Sequence, residues 1–103
     1  QRVLVNVFLR LDNTEKNPSI SRSDIYRRVN ETDWSFSNTE WDGILHTDGG
    51  SKIIAGKEKM NFATNMVAYL LGDKCTEQEI NNLKEIFGSI HAATGKTFPS
   101  PKY

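Results

Sequence analysis

Apolar residues recur at helical spacing in the second half of the chain and predict two helices there. The later helix begins behind Thr76 and Glu79, a hydroxyl and an acid three positions apart that together are typical of a helix N-terminus. Its apolar positions are Ile80, Leu83, Ile86, Phe87 and Ile90. The earlier helix covers residues 61–71, since Gly72 is typical of the position at which a helix stops. We expect the later helix to end near Gly95.

Residues 3–11, VLVNVFLRL, fit both a strand and a helix. Their odd positions are all apolar, which is the alternation of a strand, and their β-branched content favours a strand as well. A helical stripe is also present, with polar residues on the opposite side. The stripe consists of Leu4, Val7, Phe8 and Leu11. The residues leave the choice open, and we favour a helix because the fold expected below requires one at this point.

Two further helix starts lie in the stretch 19–59, around which the rest of the chain is arranged. Ser21 precedes Asp24 by three residues, and Ser37 precedes Glu40 by three residues, so each pair fits a capping box. The two predicted helices are joined by a short turn. The aromatic residues of this stretch are expected to fill the core rather than to stack on a nucleic acid: Trp34, Phe36 and Trp41.

The segment 48–59 has a short β-prone core between glycine-rich turn signals, which predicts a hairpin. Upstream of it, residues 21–45 read SRSDIYRRVNETDWSFSNTEWDGIL. This stretch resembles the second and third helices of winged-helix regulators of the penicillinase-repressor type. The resemblance implies a mainly α fold with a small β-sheet, namely a winged helix-turn-helix with additional C-terminal helices. Residues 48–59 would be the wing, and the helix behind Ser37 would face the major groove of DNA.

The length of 103 residues is sufficient for one hydrophobic core and predicts a single domain over residues 1–103. The helix-turn-helix and the wing are expected in residues 19–59. Residues 60–95 hold the C-terminal helices, where we expect a dimer interface. Residues 96–103 contain two prolines and are expected to form an extended, mobile tail.

The charge balance limits the functions that fit the sequence. Thirteen Lys and Arg residues offset thirteen Asp and Glu residues, which argues against indiscriminate coating of nucleic acid. The single cysteine, Cys75, excludes an internal disulfide and favours a cytoplasmic protein. No apolar run approaches the length that spans a bilayer, so we expect no membrane partner.

The sequence contains no arrangement typical of catalysis or of cofactor binding, and we expect that the protein is not an enzyme. GGSKIIAGK, residues 49–57, lacks the ordered glycine, lysine and hydroxyl of a phosphate loop. His46 has only Asp42 at helical spacing, and His91 has no partner at the spacing of metal ligands. We therefore expect neither a metal nor a cofactor.

We expect a homodimer that recognises a specific site on double-stranded DNA. Its role would be that of a transcriptional regulator, or of an accessory protein in plasmid transfer, replication or recombination. Basic residues would contact phosphates, and polar residues at the start of the second helix of the pair would reach base edges. The candidate DNA-binding residues are Arg22, Arg27, Arg28, Ser37, Asn38, Thr39, Lys52, Lys57 and Lys59. The wing lysines are expected to contribute more than Asn38, because that second helix is acidic.

Two other interpretations compete with DNA binding. The first is a winged-helix module for protein–protein interaction without DNA binding, which the acidic segment 29–44 and the zero net charge support. The second is a ribbon-helix-helix dimer with residues 3–11 as its ribbon. Too few residues separate Leu11 from Ser21 to hold the first helix of that fold, so this second interpretation is disfavoured.

Overall fold

The computed structural model describes residues 2–35, 38–41, 43–47, 52–53, 57–92 and 95–103. The described residues form four α-helices: α1 (Arg2–Leu11), α2 (Arg22–Glu31), α3 (Lys57–Leu70) and α4 (Glu77–Ile90). A single 3-10 turn covers Thr39–Trp41, and a two-residue antiparallel ladder pairs β1 (His46–Thr47) with β2 (Lys52–Ile53). The chain is therefore mainly helical.

The winged helix-turn-helix expected from the sequence is wrong. Where the second helix of the pair is predicted, the described residues form only the 3-10 turn Thr39–Trp41, and Ser37 lies outside them. Gly43 follows in the left-handed region with φ of 77°, and a Cβ there would lie 2.7 Å from Cγ2 of Ile90 on α4. A right-handed helix cannot continue through a residue in this left-handed conformation. The two-residue ladder is also too short to form the small β-sheet of a winged helix.

The two capping boxes that lie within the described residues are confirmed. The Ser21 hydroxyl accepts from the Asp24 amide at 3.2 Å, and the Asp24 carboxylate accepts from the Ser21 amide at 3.1 Å. Thr76 and Glu79 form the same reciprocal pair at the start of α4, at 3.2 and 3.1 Å. The helix behind Thr76 ends at Ile90, earlier than expected.

One further helix has the structure favoured from the sequence, and another differs from expectation in extent. Residues 2–11 are helical, and the buried side chains of Val3, Val7 and Leu11 recur every four residues on one side of α1. Helix α3 begins at Lys57 and not near residue 61, so the first turn of this helix includes residues that the sequence assigned to a wing.

The core lies where α1 packs on α3 and α3 packs on α4. Its largest fully buried side chains include Leu11, Ile25, Met66, Leu70 and Phe87. Trp41 is fully buried as expected, and its ring stacks on Trp34 with 5.0 Å between ring centroids. Each indole donates to a backbone carbonyl, Trp34 to Val29 at 2.9 Å and Trp41 to Asp33 at 2.7 Å. This pair of rings fastens the end of α2 to the 3-10 turn.

The tail after Gly95 contains no helix or strand, and part of it contacts the core. The Lys102 amide donates to the Leu70 carbonyl at 2.9 Å. Phe98 contacts the rings of Tyr69 and Phe87, with centroids 5.5 and 5.4 Å away. These contacts bring residues 102 and 103 close to α2 and the 3-10 turn, where Lys102 pairs with Glu40 at 2.6 Å.

Candidate functional site

Helix α2 carries three arginines that the sequence assigned to DNA binding, and two of them are paired with acids. Arg22 contacts Asp12 at 3.2 Å, and this hydrogen-bonded partner raises the pKa of Arg22. Arg27 lies between Asp24, at 3.3 Å, and Glu31, at 3.5 Å. The two arginine side chains remain 73% and 57% exposed. The outer surface of α2 therefore carries positive and negative charges side by side and is not uniformly basic.

The third arginine of α2, Arg28, is held against the core. Its Nη1 donates to the Leu71 carbonyl at 2.9 Å, and its guanidinium carbon lies 4.7 Å from the centre of the Tyr103 ring. A Cβ on Gly72 would lie 2.6 Å from Nη1, so the glycine makes room for the guanidinium group. Arg28 thus joins α2 to the end of α3 and to the tail.

The remaining candidate DNA-binding residues are not gathered on one element. Asn38 uses its side chain within the turn, donating to the Asp33 carbonyl at 2.8 Å and accepting from the Glu40 amide at 3.2 Å. Thr39 belongs to the 3-10 turn and Lys52 to β2, while Ser37 lies outside the described residues. The remaining two are Lys57 and Lys59, which are exposed in the first turn of α3.

A buried carboxylate, Asp73, gathers polar groups from distant parts of the chain. It accepts from Arg10 at 3.0 Å, from Lys16 at 3.2 Å and from Asn17 at 2.9 Å. Glu79 lies beside it and contacts both Arg10 and Lys16 at 3.3 Å. We call these five residues the Asp73 network. Sequence reasoning missed it, because the partners are 56 to 69 positions apart and follow no local spacing.

Cys75 lies at the edge of the Asp73 network, with its Sγ 3.6 Å from the Asp73 carboxylate. Burial first, and then the charges of Asp73 and Glu79, raise the pKa of Cys75 to about 11. The side chain borders a small cleft of about 100 Å³ that Arg10 also lines. Since a thiol with this pKa stays protonated near neutral pH, the arrangement does not activate a nucleophile.

Helix α1 is apolar on two sides, and only one of them faces the core. Val5 and Leu9 are 57% and 62% exposed, and the Tyr26 ring on α2 is 59% exposed. The half-buried Phe8 packs against Tyr26, with 5.3 Å between ring centroids. We define the outer apolar face as Leu4, Val5, Phe8, Leu9 and Tyr26. The signal for it is already present in residues 3–11, where nearly every position is apolar and one core-facing stripe does not account for them.

The residues described contain no group of three or more His, Cys, Asp and Glu side chains arranged to hold a metal ion. Among the described helices, none has both the length and the apolar character needed to cross a membrane.

The chain was compared with known proteins at the level of sequence family, curated sequence and solved structure. None of the three comparisons gave a match.

Proposed function

We propose that this chain is a protein-interaction domain that assembles with a second copy of itself through the outer apolar face. The exposure of Val5 and Leu9, one helical turn apart on α1, carries this proposal. Burying two such side chains contributes about 1.5 to 3 kcal/mol each, and this apolar surface leaves water only if another chain covers it.

The order of residues along α1 favours an antiparallel pair of identical helices. Positions 2, 5, 9 and 12 follow one another at intervals of three, four and three, which is the spacing of a seam between two packed helices. In a twofold pair centred on residue 7, Val5 of one copy faces Leu9 of the other. Because each copy then offers the same two exposed apolar side chains to the other, this self-complementary arrangement supports a second copy as the occupant.

The size of the face indicates weak and reversible association. A helix of ten residues is about 15 Å long, so two such helices with Tyr26 cover less than the roughly 800 Å² per partner of a standard interface. We therefore expect a dimer that dissociates on dilution in the micromolar range.

Sedimentation equilibrium over a range of concentrations tests the assembly. Val5→Lys and Leu9→Lys place a charge on exposed positions, and each is expected to yield a monomer with an unchanged helical circular dichroism spectrum. Ile86→Lys is the matched control, because Ile86 is an exposed apolar residue on α4 and should leave the dimer intact. A wild-type chain that stays monomeric at millimolar concentration contradicts the proposal.

Cysteine cross-linking tests the orientation, in a Cys75→Ala background. Val5→Cys mixed with Leu9→Cys should form the disulfide-linked pair, whereas each variant alone should cross-link poorly. Efficient cross-linking of Val5→Cys with itself would indicate a parallel pair and contradict the register.

A second candidate function is the binding of double-stranded DNA, because the side chains of Arg22 and Arg27 remain exposed on one helix. It is the weaker candidate, since Asp12, Asp24 and Glu31 neutralise these arginines and repel phosphates. Fluorescence anisotropy of a labelled mixed-sequence duplex tests it. Saturable binding that weakens with salt and with Arg22→Ala would support DNA binding, and Lys84→Ala on α4 is the control. No binding at about 50 mM salt excludes it.

A further inference from the structure

An open pocket of about 290 Å³ lies between Arg28 of α2, the connection from α1 to α2 and the turn after α3. Its walls include Lys16, Asn17, Ser19, Arg28, Gly72 and Lys74. The described residues that line it contain no Asp and no Glu. Three cationic side chains therefore border one concave surface.

Two of the three cations have no acidic partner among the described residues. The Lys16 ammonium is balanced by Asp73 and Glu79, at 3.2 and 3.3 Å. Arg28 and Lys74 form no ion pair with a carboxylate within the described part of the chain. Unlike Arg22 and Arg27, neither residue is in direct contact with a carboxylate of the described residues.

Two contacts hold the Arg28 guanidinium group at the pocket before any ligand arrives. Its Nη1 is bound to the Leu71 carbonyl, its face lies over the Tyr103 ring, and Gly72 leaves space for it. A guanidinium group held in this way loses little conformational entropy on binding, which favours planar, bidentate recognition of an oxyanion.

The Nε atom of Arg28 is buried and has no hydrogen-bond partner among the described residues. Buried donors are nearly always paired, because an unpaired one costs about 1 to 3 kcal/mol. A donor of this kind beside a cationic pocket is accounted for if an acceptor enters the pocket and a small movement of the guanidinium group reaches it.

We propose that this pocket binds the phosphate group of a small soluble molecule, with Arg28 and Lys74 as its charged contacts. Phosphate presents several strong acceptors to the fork of an arginine and to a lysine ammonium, and Ser19 adds a hydroxyl at the rim. The volume suits a phosphate with a short organic group, since it lies at the lower end of the usual range for small-molecule sites, about 300 Å³.

Amide and arginine side-chain NMR spectra of the labelled protein, titrated with inorganic phosphate and separately with glycerol phosphate, test the proposal. Sodium chloride at matched ionic strength is the reference. Saturable shifts are expected at Gly72, Lys74 and the Arg28 Nε group with both phosphates. Lys74→Ala should weaken binding about fivefold, the upper range for one exposed ion pair. Arg28→Lys, which keeps the charge and loses the fork, should weaken it about tenfold or more.

Lys59→Ala is the matched control, because Lys59 is an exposed lysine that does not line the pocket. The fold of each variant is checked by its remaining NMR signals. Shifts no larger than those with chloride overturn the proposal, as does an equal effect of Lys59→Ala. If a DNA duplex binds with the same dependence on Arg28 and Lys74 while both phosphates fail to bind, the small-molecule assignment is overturned in favour of nucleic acid.

Discussion

The Arg10 guanidinium lies 3.0 Å from the buried carboxylate of Asp73, which is 63 positions further along the chain. Asp73 follows α3, whereas Arg10 belongs to α1, so one ion pair fixes the first helix on the turn between the last two. Lys16 and Asn17 bring the connection after α1 to the same carboxylate. The contact therefore joins α1, which carries most of the outer apolar face, to the turn that lines the proposed phosphate-binding pocket.

Replacing Asp73 should destabilise the protein substantially. Asp73→Ala removes one acceptor from each of Arg10, Lys16 and Asn17, and we expect a loss of about 3 kcal/mol in the free energy of unfolding. The loss is at the lower end of the range for buried pairs, because Arg10 and Lys16 keep 27% and 28% exposure and can be hydrated. Urea denaturation followed by circular dichroism measures it. Glu85→Gln, on the exposed side of α4, is the control, and equal midpoints for the two variants would contradict the role given to Asp73.

Stability should decrease as the solution is acidified. The Thr76 amide, and then Lys16, hold the pKa of Glu79 below its usual value of 4.5. A carboxyl with a lowered pKa in the folded state stabilises the protein above its unfolded pKa and loses this contribution as the pH falls through the folded value. We therefore expect the urea midpoint to fall between about pH 5 and about pH 3, and Glu79→Gln to make that fall shallower. If the urea midpoint of the wild-type protein stays constant over this pH range, the stabilising contribution of the Glu79 carboxylate is ruled out.

Cys75 should react slowly with alkylating agents. Its pKa is raised from 9.0 to about 11, so the reactive thiolate is about 100-fold less populated than in the unfolded chain at mildly alkaline pH. The rate of iodoacetamide modification, followed by mass spectrometry, should rise by about this factor in denaturing urea. A native rate equal to the denatured rate would show an accessible thiol of ordinary acidity.

Two glycines should respond to alanine in opposite directions. Gly72 has φ of 103° and lies against Arg28, so Gly72→Ala introduces backbone strain and a close contact and should cost about 1 to 3 kcal/mol. Gly88 lies within α4, and a Cβ added there would meet no neighbouring side chain within 4 Å, so Gly88→Ala should stabilise by up to about 1 kcal/mol. Thermal unfolding of the two variants measures both changes. A stabilising effect of Gly72→Ala would contradict the geometry around Arg28.

The parts of the fold that could be predicted from the sequence depend on neighbours in the chain. The capping boxes at Ser21 and Thr76 involve residues three positions apart, and both helices begin where the sequence places them. Helix α1 was ambiguous, because a stretch that is apolar on two sides fits either period. In the structure this stretch is a helix, with one of its apolar sides buried against α3.

The parts that were missed depend on contacts between distant residues. The sequence around Glu40 contains a helix signal, but the structure has only the 3-10 turn there, where Trp41 stacks on Trp34 and Gly43 lies close to Ile90. The Asp73 network and the site of Arg28 likewise join residues that no local spacing relates. The candidate DNA-binding arginines could be found from their charge, whereas their acidic partners could be identified only in three dimensions.

The tail illustrates how a segment without regular structure can share the unfolding behaviour of helices. Because the Lys102 amide is bound to Leu70 and Phe98 lies between Tyr69 and Phe87, the tail cannot detach without exposing aromatic surface of α3 and α4. We therefore expect residues 98–102 to unfold together with these two helices. In hydrogen exchange, the Lys102 amide should open with the C-terminal helices rather than with the surface loops.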